Sequence, residues 1–182
     1  KGNITQDLAN LQASSEFRTK IKEDAIATYT QALDQVKQGY INSNMIDITV
    51  LSSIYYNNGL ILDELGRYVE AIEMYDKVIE LRPDHPTVYR EKAISLGSLG
   101  RNEEAFANID KAIELHPKDP ENYIRKAYGL YGVGKKVEAI KSLDKAFELN
   151  HDKVRYEKVM NDFEKFDTQR STNEILNTTK KN

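Results

Sequence analysis

The sequence predicts an all-α solenoid of antiparallel helix pairs, and three observations carry that reading. Helix breakers are scarce among 182 residues: nine glycines and four prolines. Low content of both favours helix. Second, one hexapeptide recurs. Asp76-Lys77-Val78-Ile79-Glu80-Leu81 returns as Asp110-Lys111-Ala112-Ile113-Glu114-Leu115 and again as Asp144-Lys145-Ala146-Phe147-Glu148-Leu149. Third, other residue types keep that 34-residue step: Gly66, Gly100 and Gly134; Tyr55, Tyr89 and Tyr123; Leu62, Leu96 and Leu130; Ala71, Ala105 and Ala139. A fixed period of this length is the mark of stacked supersecondary units.

Each unit reads as two helices, and residues 86–117 show why. Pro86 stands at a helix start, where a missing N–H costs nothing. Tyr89, Ala93 and Leu96 follow at helical spacing and mark one apolar face. Gly100 is the expected left-handed residue after the helix. Asn102 is the expected cap of the next helix, with Glu103 and Glu104 in its first turn. Ala105, Phe106, Ile109, Ala112 and Ile113 form a second stripe, and Pro117 ends it. Ala93, Ala105 and Ala112 are small enough to let paired helices approach closely.

These residues resemble the tetratricopeptide repeat (TPR) family. Tyr55, Gly59, Leu62, Gly66, Tyr68, Ala71, Tyr75 and Pro83 carry the likeness in the first clear unit. Tyr89, Ala93, Leu96, Gly100, Ala105, Ala112 and Pro117 carry it in the second, and Tyr123, Ala127, Leu130, Gly134, Ala139 and Ala146 in the third. The likeness covers about 52–151 and implies a right-handed superhelix. Asn58, Lys92 and Lys126 replace a frequent leucine and are expected to snorkel or lie at an edge. His151 replaces the closing proline of the last unit.

The expected organisation is one domain over 1–166. A degenerate repeat spans about 5–39, and clear repeats span 52–85, 86–119 and 120–151. In the degenerate unit a short helix at Thr5–Ala13 partners one at about 16–39, whose stripe is Phe17, Ile21, Ala25, Tyr29, Ala32 and Val36. Ser43 is the expected cap of a helix reaching Leu65, with Ile46, Val50, Ile54 and Leu51 inward; a strand at Ile48–Leu51 is the alternative. A capping helix at about 153–166, with Val154, Val159, Met160, Phe163 and Phe166, covers the end of the stack. Residues 167–182 read as a polar tail with a short helix at Asn173–Asn177.

Composition removes several functions. The net charge of −3 lacks the basic stripe of a nucleic-acid binder. No run of 18 apolar residues is present to span a membrane. Cysteine is absent, so disulfide frameworks and thiolate metal sites are out, while the compartment stays open, export included. The chain begins at Lys1 and reads as a fragment, a processed form or a trimmed chain.

No chemistry-bearing motif survives. His85, His116 and His151 sit at successive inter-repeat turns, a helix-pair width apart at about 10 Å per packed helix, too far to share a metal. Pro83-x-x-Pro86 and Pro117-x-x-Pro120 bracket turns rather than form a polyproline ligand. Phosphate loops, nucleophile elbows and zinc-helix motifs are missing. Asp63-Glu64 and Glu103-Glu104 are adjacent in sequence, so their carboxylates point to different sides of a helix. No enzyme activity, cofactor or metal is expected.

The resemblance implies that the first helix of each unit lines a concave groove that takes a partner peptide or helix. The groove is expected to centre on Tyr56, Asn57, Leu60, Arg90, Ile94, Ile124, Arg125, Tyr128 and Tyr131. Tyr and Arg dominate binding hot spots. An apolar partner with an acidic group, paired by Arg90 and Arg125, suits this set. Packing of some of these residues between first helices, or against the chain's own C-terminal segment, is the competing expectation. TPR domains that clamp a chaperone's C-terminal carboxylate use two Lys, two Asn and an Arg. Tyr56, Leu60, Glu91 and Glu121 stand at four of those places and only Arg125 fits, so that function is not expected. A structural role, through self-assembly or as a spacer or docking piece of a larger protein, is the alternative.

Overall fold

The computed structural model describes residues 2–38 and 47–179, with side chains for 14–36, 38 and 47–172. Among the described residues the order is α1 (Gly2–Lys37), α2 (Ile48–Glu64), α3 (Tyr68–Leu81), α4 (Pro86–Ser98), α5 (Asn102–Leu115), α6 (Pro120–Gly132), α7 (Lys136–Asn150) and α8 (Lys153–Thr179). Pairs α2–α3, α4–α5 and α6–α7 are the three clear units, and each pairs most closely within itself. The architecture is an all-α helical-repeat solenoid.

The same turn joins the helices of each pair. Gly66, Gly100 and Gly134 adopt φ of 74°, 74° and 85°. The next N–H then reaches back: Arg67 N to Leu62 O at 2.9 Å, Arg101 N to Leu96 O at 2.9 Å, Lys135 N to Leu130 O at 2.8 Å. This closes the carbonyls that a helix end leaves open. The expected Asn102 cap is not formed. Asn102 is already the first helical residue, and the Arg101 guanidinium grips Glu104 at 2.6 and 2.7 Å instead. The tight glycine turn leads directly into the next helix and leaves no room for a separate capping residue.

Between units, Tyr89 Oη donates to Pro83 O at 2.9 Å and Tyr123 Oη to Pro117 O at 3.0 Å, so the recurring tyrosine ties each first helix to the turn before it. Lys92 and Lys126 reach back to Asp76 and Asp110 of the preceding second helix, at 2.5 and 2.6 Å. Asn58 departs from that pattern. It is buried, its Nδ2 lying 3.7 Å from Met74 S, rather than at an edge. The core follows the stack: Leu62, Ala71, Tyr75, Val78 and Val88, then Ala93, Ile109 and Ala112, then a larger cluster from Ile124 to Phe163.

Both ends differ from expectation. The two expected N-terminal helices are one continuous helix, because neither glycine nor proline interrupts residues 3–37. Its Leu33 and Ile26 pack inward, whereas Phe17 and Ile21 are exposed, since a 36-residue helix outruns the 17-residue helix beside it. Helix α2 is capped by Asp47, whose Oδ1 accepts from Thr49 N at 2.8 Å; the expected cap Ser43 and the inward Ile46 lie outside the described residues. Val50 is exposed in the first turn of α2, and Ile48–Leu51 is helix rather than strand.

The C-terminal helix continues past 166 to Thr179. Asp167, the first residue of the expected tail, accepts hydrogen bonds from Tyr131 Oη at 2.8 Å and Lys136 Nζ at 2.7 Å, which docks the helix where a tail was expected. Helix α8 is in register as the first helix of a fourth unit. Arg155 meets Glu121, and Asp162 meets Tyr128, each exactly one 34-residue step on. Its outer side is different in kind. Glu157, Asn161 and Glu164 occupy the places of Tyr123, Ala127 and Leu130, and all three are exposed. In the two preceding units those three places carry the apolar side chains of the helix pair, and α8 offers polar ones instead.

Candidate partner-binding groove

Successive first helices touch one another: α2 with α4, α4 with α6, α6 with α8. The second helices make no comparable row. The first-helix layer is therefore the shorter, concave side of the solenoid.

Of the expected groove residues, Leu60, Ile94 and Tyr128 occupy one position of three successive helices and are half-buried. Leu60 and Ile94 belong to no core cluster. Asn57 and Arg125 are exposed, and Tyr56 is half-buried against Tyr75 and His85, ring centroids 6.2 and 5.8 Å away. The structure withdraws three others. Ile124 is buried in the core between α6, α7 and α8. Tyr131 is buried, stacked on Phe163. Both lose their exposure to α8, whose packing the local sequence of α6 could not reveal. Arg90 is spent: its Nη1 donates to Asp119 at 2.8 Å and to Asn122 at 3.1 Å, and Nε to Glu91 at 3.3 Å. It pins α4 to the start of α6.

One cation of the site lay outside the expected set. Arg155 Nη2 lies 2.9 Å from Glu121 Oε2, and Arg125 Nη2 lies 2.8 Å from Glu121 Oε1. Glu121 thus bridges two first helices through the two guanidiniums, and Arg125 also acts on the carboxylate of Glu91. The 34-residue step from Glu121 to Arg155 was the available signal, but it required reading α8 as a further first helix.

Two carboxylates are held away from water on the same side. Asp63 accepts from Ser95 Oγ at 2.6 Å and Tyr75 Oη at 2.7 Å. Burial raises its pKa against the lowering pull of those two hydroxyls. Burial also raises Glu91, and Arg90 pulls it the other way. The Tyr128 hydroxyl, donating to Asp162 at 2.7 Å, is pushed up to about 12, by burial first and by that carboxylate second.

A cleft of 710 Å³ opens between α4, α5 and α6. Ile94, Phe106, Ile109 and Tyr128 supply its apolar wall, with Arg125 on its lining and Phe166 of α8 beside it.

Residues 52–85 match the model of the tetratricopeptide repeat. Those residues carry a tetratricopeptide repeat. Solved structures share the chain's architecture. MamA aligns at a TM-score of 0.63 and 17% identity over 86% of this chain and 85% of that one. The Arabidopsis OM64 TPR domain aligns at 0.59 and 18%, over 66% and 99%. The first TPR of Spaghetti (RPAP3), solved with the HSP90 peptide SRMEEVD, aligns at 0.56 and 21%, over 66% and 93%. At these identities the likeness is one of fold. No curated protein matches the sequence.

Proposed function

We propose that this TPR solenoid is a protein-interaction module, not a catalyst, and that it holds a partner peptide or helix along the concave row α2–α4–α6–α8. The observation that carries the reading is the ladder of Leu60, Ile94 and Tyr128, three half-buried side chains at one repeat position with no core role for the first two. Apolar surface left at a concave site is what a partner covers. Beside the ladder, the exposed Arg125 favours a partner with an acidic group. A C-terminal carboxylate clamp is opposed by the same geometry. Glu91 and Glu121 stand at two clamp positions, where each would repel a terminal carboxylate.

The test is a selection of displayed random dodecapeptides on the whole chain, followed by fluorescence anisotropy with the enriched peptides. Leu60→Ala and Arg125→Ala should each weaken binding tenfold or more at unchanged helical circular dichroism. Val137→Ser, on the exposed side of α7, should not. Binding that ignores both groove variants, or that follows Val137, would sink the reading.

A further inference from the structure

The 34-residue repeat places three side chains at every junction between units, and comparing the three junctions isolates a gap. At the first junction these positions are Asp63, Tyr75 and Ser95, joined by hydrogen bonds of 2.6 and 2.7 Å. At the last they are Tyr131, Leu143 and Phe163, with Tyr131 and Phe163 stacked at 3.9 Å. At the middle junction they are Gly97, Ile109 and Gly129. Two of three side chains are missing there, and that junction holds the 710 Å³ cleft.

Two of the cleft's glycines, Gly97 and Gly132, have no local reason to be glycine. Gly97 and Gly132 lie within helices without positive φ, and a Cβ added to either would meet nothing within 4 Å. A helical glycine is destabilising relative to alanine. Only Gly129 is confined, its added Cβ lying 3.3 Å from Phe106. The space is open to solvent, since Gly97, Ser98, Gly129 and Gly132 are exposed. Its volume falls in the range of ligand pockets, about 300–1,000 Å³.

We propose that the vacated middle junction is an anchor pocket for an aromatic side chain of the partner peptide, with a neighbouring carboxylate of that peptide facing Arg125. The occupant follows from the chain's own solution at the sister junctions. Both are closed by aromatic rings, Tyr75 at one and the Tyr131–Phe163 stack at the other. The charge follows from the two cations of the lining, the exposed Arg125 and its neighbour Lys126, with no carboxylate among the lining residues. This pocket rests on the groove reading above and gives it a specificity.

The experiment uses the same displayed-peptide selection on the whole chain. Enriched peptides should share a Phe, Tyr or Trp next to an acidic residue, and replacing that aromatic by Ala should cost at least tenfold in Kd. Gly97→Leu fills the pocket from α4 and should cost as much while its urea midpoint stays level or rises. Gly132→Leu, from α6, checks the result if Gly97→Leu unfolds. Peptides lacking an aromatic, or affinity unchanged in both leucine variants while Leu60→Ala still weakens it, would overturn the pocket and leave the groove standing. No enrichment, or indifference to Leu60→Ala as well, would overturn both. A concentration-dependent dimer in sedimentation that Gly97→Leu abolishes would assign the pocket to a second copy of the chain and overturn the peptide proposal.

Discussion

Tyr131 lies flat on Phe163, ring centroids 3.9 Å apart and planes 11° from parallel. That contact attaches α8 to the last unit, and Phe163 is 1% exposed. Phe163→Ala removes a buried ring and leaves a cavity, so it should cost about 3–5 kcal/mol in urea unfolding. A loss below ~1 kcal/mol would mean that α8 contributes little to the stack.

Gly59 faces the Tyr75 ring so closely that an added Cβ would sit 2.5 Å from Cε1. Tyr75 is itself fully buried and cannot swing aside. Gly59→Ala should therefore destabilise by about 1–3 kcal/mol despite alanine's better helix propensity. Thermal unfolding followed by circular dichroism measures it, and a raised midpoint would contradict the contact.

Asp63 gives a pH signature. Burial raises its pKa in the folded chain, so its contribution to stability is fully present below the ordinary carboxylate value of 3.8 and is lost as pH rises through the raised value. Asp63→Asn keeps the shape, accepts one hydroxyl through Oδ1 and donates to the other through Nδ2, as a protonated carboxyl would, but cannot ionise. Its stability relative to wild type should grow with pH across the acidic range above 3.8. Urea midpoints at matched pH values give the difference; a variant that loses ground as pH rises would reverse the assignment.

Arg90 is a tie between units. Arg90→Ala leaves Asp119 and the buried Asn122 without their guanidinium partner. A loss of about 1–3 kcal/mol in urea unfolding is expected. Unchanged stability together with weakened peptide binding would return Arg90 to the groove.

The periodic residues determined most of this fold locally. Gly66, Gly100 and Gly134 set the turns because the left-handed backbone costs glycine nothing, and Pro86 and Pro120 start helices because they lack an N–H. Tyr89 and Tyr123 recur because each closes the same turn. The repeat therefore predicted the unit and the stack, and the family resemblance the face that becomes concave. Single positions on that face were a different matter. Arg90, Ile124 and Tyr131 carry hot-spot or apolar side chains like their neighbours, and nothing within their own helix marks them as packed. Arg90 is claimed by Asp119 and Asn122 of the following unit, Ile124 and Tyr131 by the cluster that α8 completes. The helix period specifies a face, but which residues on it stay open depends on contacts made some 32 to 36 positions away, as between Arg90 and Asn122 or Tyr131 and Asp167. The same separation hid the middle cleft. Gly97 and Gly129 each read as an ordinary weak helix residue, and only the tertiary stacking sets their two absent side chains opposite each other.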